Sequence, residues 1–297
     1  MSKFSKNAIY VRADGMHSVN FANLNTMKIT DILLGFTAVT NSNYASTLAT
    51  FLENCETNQI VVNLWTQALF MSGTWYNPTT TSGQNRISTY LEEIGNWIEI
   101  EGINGIHADY IRFPGNAYQF TGGTQAITDL MEDIYGVVKA ENSNNQVSPA
   151  LMPEKNVNAY YYGQDYAALS PFCDAQLPMI YMGNYNASRE WATGVASYIE
   201  GQVDCGVWGC LQTYVSDSNV TPRSDTVLEG DAQAILNGGV EGLALFRHGL
   251  IADGSYSRIG NLVTPVRGPY SGYVEPTPEP ITPKEIRPKS GCLNRIT

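Results

Sequence analysis

Eight short apolar runs separated by helical periodicity constrain this 297-residue chain more than any other feature. Residues 8–12, 31–37, 60–65, 105–112, 147–152, 175–181, 206–214 and 242–246 read as strands, with period-two or continuous apolar patterning bounded by turn residues. Between them, apolar residues recur with a period near 3.6 over 45–54, 87–98, 126–140, 189–200 and 227–237. Parallel strands need such crossover helices, and eight strands in βα alternation close into a barrel. The expected architecture is therefore an α/β, (β/α)8 TIM barrel over residues 1–264. Residues 265–297 follow as an extended tail, because Glu275-Pro276-Thr277-Pro278-Glu279-Pro280 favours polyproline-like conformations and cannot bury a core. A tail of this composition serves as a linker, as a tether to a larger assembly or as a disordered end.

Charge and composition narrow the partners. The formal net charge is −11 and no Lys/Arg cluster appears, which excludes the basic face that nucleic-acid binding requires. Charged residues make up only 15% of the chain, so Asn, Ser, Thr, Gln, Gly and Tyr must cover much of the surface. Such a surface suits an extracellular or particle-bound setting, a virion among them. No apolar run approaches the ~20 residues needed to span a bilayer, and no leader pattern opens the chain. Five cysteines and three histidines lie without metal-ligand spacing, so neither a metal nor another cofactor is expected, and the cysteines read as buried thiols.

In a (β/α)8 barrel, functional groups converge from the C-terminal ends of several strands. Those ends offer Arg12 and Asp14, Trp65 and Gln67, His107, Asp109 and Arg112, Glu154, Tyr181 and Asn184, Gln212 and Tyr214, and Arg247 and His248. Carboxylates, amides and flat aromatics dominate this set, as a carbohydrate substrate would require. Glycoside hydrolysis needs two carboxyl groups, one protonated to assist the leaving oxygen and one ionised to attack or to activate water. Asp109 and Glu154, at the ends of adjacent strands, are the expected catalytic pair, with Asp14 in reserve. Beside Arg112, Asp109 is expected to stay ionised as nucleophile or base, leaving Glu154 as the acid. The alternative for Asp109 is an ion pair with Arg112 that only fixes the loop. His107 shares a strand face with Asp109 and either orients a hydroxyl or fills the barrel core; His248 carries the same two readings. Trp65, Trp75, Tyr110, Tyr181, Tyr185 and Tyr214 offer flat faces for sugar rings, and the Gly/Thr/Ser/Asn-rich loop 71–84 is expected to wall the site.

The words Gly105-Ile106-His107-Ala108-Asp109-Tyr110-Ile111-Arg112-Phe113-Pro114 resemble the DGIHFDYIRYP signature of the glycosyl-hydrolase-like barrels grouped as domain of unknown function 187. The resemblance extends to Tyr90-Leu91-Glu92-Glu93-Ile94 before it and, more loosely, to Leu177-Pro178-Met179-Ile180-Tyr181, which is similar to that family's later Pro-x-Ile-Tyr strand. Asn104 departs from it, standing where the family usually has Asp. The same strand is more distantly similar to the Asp-x-Asp-x-Glu strand of family 18 chitinases, with Ile111 at the position of their catalytic Glu. These resemblances imply a sugar-active barrel, either a glycoside hydrolase acting on a polysaccharide or cell-wall glycan or a non-catalytic carbohydrate-binding or structural barrel displayed on a virion or envelope. A peptide or amide hydrolase would need a nucleophile beside a base, and no Ser or Cys stands in such a motif with His.

Overall fold

The computed structural model describes residues 5–266. Eight parallel strands form a closed barrel: β1 (Lys6–Val11), β2 (Asp31–Gly35), β3 (Val61–Gln67), β4 (Gly105–Asp109), β5 (Gln146–Leu151), β6 (Ala175–Pro178), β7 (Gly206–Gln212) and β8 (Gly242–Phe246). Each strand pairs with its neighbours in sequence, and β8 closes on β1. Six longer helices lie among the connections: α1 (Ala45–Thr57), α2 (Thr81–Ile98), α3 (Gly123–Glu141), α4 (Arg189–Glu200), α5 (Asp225–Leu236) and α6 (Ser255–Leu262). The tail expected over 265–297 lies almost wholly outside the described residues.

Strand alternation divides the interior into two cores. Ile9, Val11, Ile32, Leu34, Val62, Leu64, Ile106 and Ala108 pack in the layer between barrel and helices. Ala8, Tyr10, Leu33, Leu177, Trp208, Cys210 and Ala244 fill the barrel itself, with Trp65, Tyr181 and Phe246 against them. The N-terminal end of the barrel is polar and partly paired. Lys6 Nζ lies 3.6 Å from Asp31 Oδ2 in full burial, and Asn63 Nδ2 donates to Gln146 Oε1 at 2.8 Å. A Cβ at Gly105 would stand 2.3 Å from Asn63 Oδ1, so only glycine lets β4 begin beside that pair. Cys55, Cys173, Cys205 and Cys210 are buried, while Cys292 lies outside the described residues.

The ends of several elements differ from the sequence reading. α2 begins at Thr81 rather than residue 87, because Thr80 Oγ1 accepts from the Gly83 amide at 3.2 Å and caps it. The first turn of α2 thus takes up residues 81–84 of the expected 71–84 loop, whose start instead folds as the hairpin Phe70–Met71/Thr74–Trp75. Arg86 in α2 donates to the Gln67 and Ala68 carbonyls at 2.9 and 3.0 Å and holds the end of β3. β4 stops at Asp109, not at residue 112, since Tyr110 turns into the left-handed region with φ of 55°. Beyond β7, Tyr214–Ser216 leaves the barrel and pairs with Asn219–Pro222 as a second hairpin.

Candidate active site

Asp109 closes β4 at the C-terminal mouth, its Cα in register with Gln67 of β3. Two donors hold its carboxyl. The Trp65 Nε1–H donates to Oδ2 at 3.1 Å, and the Tyr110 amide donates to Oδ1 at 2.6 Å. Burial raises the Asp109 pKa above the ordinary carboxylate value, and the Trp65 bond, the Tyr110 amide and the charge of Arg112 offset it only in part. Burial thus acts against the ionised form expected for Asp109, while the charge of Arg112 favours it.

The alternative, an ion pair of Asp109 with Arg112, does not form among the described residues. The Arg112 guanidinium carbon lies 4.8 Å from the ring centre of Trp75, 5.4 Å from Tyr110 and 5.6 Å from Tyr162, and Nη1 donates to the Phe113 carbonyl at 3.3 Å. Three aromatic faces surround the cation, and Asp109 is half-buried beside them. Phe70 completes this wall, 4.9 Å from Trp75 and 5.0 Å from Tyr110.

Across the floor, Trp65 meets Tyr10 and Phe246 edge-on at 5.2 and 5.8 Å, and Tyr181 stacks on Phe246 at 5.6 Å. Tyr214 lies 6.2 Å from Phe246, and its hydroxyl donates to Asp217 Oδ1 at 2.9 Å. Asn184 and Gln212 also donate to Asp217, at 2.6 and 3.2 Å, while Gln212 Oε1 is buried without a partner. Beside Trp65, a cleft of about 530 Å3 is lined by Arg12, Asp14, Phe36, Gln67 and Arg247. Arg12 and Asp14 form an exposed ion pair at 2.7 Å on its rim.

Glu154 follows β5 and accepts from the Tyr185 hydroxyl at 2.8 Å. Its charge reaches Tyr162, Tyr166 and Tyr185, and two of these tyrosines, Tyr162 and Tyr185, also face the charge of Arg112. His107 lies wholly buried below Asp109, with Nε2 2.8 Å from the Tyr10 hydroxyl and Nδ1 2.9 Å from Ser148 Oγ. Burial pushes its pKa down to about 3, so His107 is a neutral, hydrogen-bonded group of the barrel interior. His248 stands aside, with Nε2 3.1 Å from Ser18 Oγ. Burial, followed by the charge of Arg247, lowers its pKa. Among the described residues, no group of three His, Cys, Asp or Glu side chains could hold a metal.

The sequence reading missed Asp217. It lies beyond the strand end, in a polar turn that periodicity marks only as a turn, and the hairpin after β7 folds it back to Gln212 and Asn184. The fields of Asp109 and Asp217 both reach the phenols of Tyr110 and Tyr181. Ile111, at the chitinase Glu position, is fully buried in the layer between barrel and helices, because the left-handed turn at Tyr110 breaks the strand alternation.

Solved structures of chitinase and other glycoside hydrolase domains share this eight-stranded parallel barrel. The glycoside hydrolase domain of PgaB (BpsB) from Bordetella bronchiseptica matches with a TM-score of 0.68 at 11% identity, covering 88% of this chain and 99% of that one. A class V chitinase from Pseudomonas fluorescens Pf-5 matches at 0.66 and 13% identity over 87% and 99%. The Bacillus cereus spore cortex-lytic enzyme SleL matches at 0.61 and 12% identity over 90% of this chain and 76% of its own. At such identities the likeness is one of fold. No protein-family profile matches the chain, and no curated protein matches it in sequence.

Proposed function

We propose that this barrel hydrolyses a glycosidic bond in a polysaccharide or cell-wall glycan, with Asp109 as its central carboxyl. The observation that carries the reading is a half-buried, partly desolvated carboxyl at the C-terminal end of β4, held by the Trp65 indole, while the Arg112 guanidinium lies against Trp75. A carboxyl whose pKa is raised by burial is better suited to donate a proton to the leaving oxygen than an ordinary one. That exchanges the roles expected from sequence: Asp109 becomes the acid, and the second carboxyl becomes the base or nucleophile. Glu154, on the adjacent strand connection and oriented by Tyr185, is proposed for the second role. Asp217 competes for it, since it shares Tyr110 and Tyr181 with Asp109 and is fixed by three donors. Trp65, Tyr181, Gln212 and Tyr214 supply stacking faces and hydroxyl partners for the sugar, and Arg12, Asp14 and Arg247 line the approach through the cleft. Chitinases and a cortex-lytic enzyme among the structural neighbours support chitin and peptidoglycan as first substrates to try.

The test is release of reducing ends from chitin, peptidoglycan and other polysaccharides by the wild type and by Asp109→Asn, Glu154→Gln and Asp217→Asn. Loss in Asp109→Asn together with loss in only one of the other two variants identifies the pair. One observation favours a second reading, a carbohydrate-binding barrel without catalysis: the apolar Ile111 where chitinases carry their acid. Retention of glycan binding by a wild type that releases no reducing ends would establish that reading instead.

A further inference from the structure

Among the described residues, every exposed aromatic side chain belongs to one cluster. Tyr118, Tyr160 and Tyr161 are 51%, 55% and 41% exposed, whereas the other described tyrosines, and all the described tryptophans and phenylalanines, are buried or half-buried. Tyr118 lies on the short turn Ala117–Gln119 in the connection after β4, and Tyr160 and Tyr161 lie on the short helix Asn158–Tyr162 after β5. Both connections leave the C-terminal face that carries Asp109. The rings of Tyr118 and Tyr160 are parallel, 4.8 Å apart with 4° between their planes, and Tyr161 stands perpendicular to both. The cluster is continuous with the mouth: Tyr161 lies 6.5 Å from Tyr162, whose ring faces the Arg112 guanidinium.

We propose that Tyr118, Tyr160 and Tyr161 form an outer platform for a glycan chain, so that the substrate is a polymer reaching from Asp109 to this platform and not a short oligosaccharide. This deepens the glycan reading and rests on it. Two parallel rings with outer faces in solvent offer flat apolar surfaces to the C–H faces of pyranose rings, and their phenol rims offer hydrogen bonds to hydroxyls. The hydroxyls are free for that purpose. Tyr118 receives only a 3.3 Å bond from Gln119, its sequence neighbour, and those of Tyr160 and Tyr161 have no protein partner among the described residues. Keeping three rings half in water contributes little to the core, so stability does not account for their concentration on the one face that carries the site. A protein-docking surface would be broader and apolar, and here Val157 is the one exposed aliphatic side chain nearby in sequence.

The experiment uses the full chain carrying Asp109→Asn to prevent turnover, with and without Tyr118→Ala/Tyr160→Ala. Affinity electrophoresis through gels cast with glycol chitin, hydroxyethyl cellulose or xylan, and co-sedimentation with peptidoglycan sacculi, give polymer affinity. Isothermal titration with di- to octasaccharides of the polymer that binds gives the length dependence. Loss of stacking weakens polymer binding by about tenfold while leaving the shortest bound oligosaccharide unaffected. Unchanged melting temperature in the double variant shows that the fold is intact. Equal polymer affinity in both proteins overturns the platform and leaves the glycan reading standing; equal loss for short and long ligands also overturns it, since the tyrosines would then act at the mouth. If the parent protein binds no polymer in the panel, the glycan reading fails and the platform falls with it.

Discussion

Replacing Trp65 with Phe tests the electrostatics of Asp109 directly. The indole packs on Tyr10 and Phe246, and its Nε1–H donates to Asp109 Oδ2 at 3.1 Å. Phenylalanine retains an aromatic ring between those neighbours and removes the donor. A hydrogen bond to an ionised acceptor is worth about 1.5–3 kcal/mol. Removing the donor withdraws a stabilisation of at most that order from the Asp109 anion. The pKa shift is upward, because the lost bond stabilised the anion against the burial that already raises this group. Titration of the Asp109 carboxyl carbon by NMR reads the shift without reference to activity. If Asp109 is the acid, the basic limb of the kcat/KM profile moves up by the same amount, since activity is lost when the acid ionises. A carboxyl that titrates unchanged or lower in Trp65→Phe would refute the reasoning. A rate that falls equally at every pH would show Trp65 to be a packing residue alone.

Four further outcomes follow from individual residues. Because folding raises the Asp109 pKa, the native state binds more protons than the unfolded chain, and wild-type stability falls as pH rises from about 4 through the raised value; urea unfolding of Asp109→Asn across this range lacks that component. His107, pushed down to about 3, has the opposite sign: its contribution is present above the unfolded value near 6.5 and is lost as pH falls toward 3, and its imidazole shows no NMR titration between about pH 4 and 8. Lys6→Met strands the fully buried Asp31 carboxylate and costs about 3–5 kcal/mol in chemical denaturation. Ile111→Glu creates no catalytic acid, since the side chain points into the packed helix layer; it destabilises by several kcal/mol and leaves any hydrolytic rate dependent on Asp109, as the double variant with Asp109→Asn would show.

The sequence was readable where physical periodicity is imposed on it, and opaque where the chain leaves the barrel. Strands packed between a barrel interior and a helix layer must alternate, so all eight were recognisable, and α4 spans Arg189–Glu200 as the 3.6-residue period required. The same logic located Asp109 on an inward face with His107. It failed one residue later, because nothing in a period-two pattern announces the left-handed turn at Tyr110 that sends Ile111 outward and brings an amide onto Asp109. Proximity in sequence offered Asp109 as a partner for Arg112, whereas the rings that surround its guanidinium, Trp75 and Tyr162, come from connections whose paths no local pattern specifies. Asp217 and the tyrosine platform belong to the same class, being rim residues on a hairpin and on short turns. The division has a physical consequence for function. Floor residues are fixed by the barrel, a fold shared with glycoside hydrolases at 11–13% identity, while rim residues are free to differ. The turn at Tyr110 lies on the boundary between the two. By turning position 111 away from the mouth it leaves Asp109, beneath Trp65, as the last inward-facing carboxyl of β4, so the proposed glycan chemistry rests on how the rim would position a sugar over Asp109.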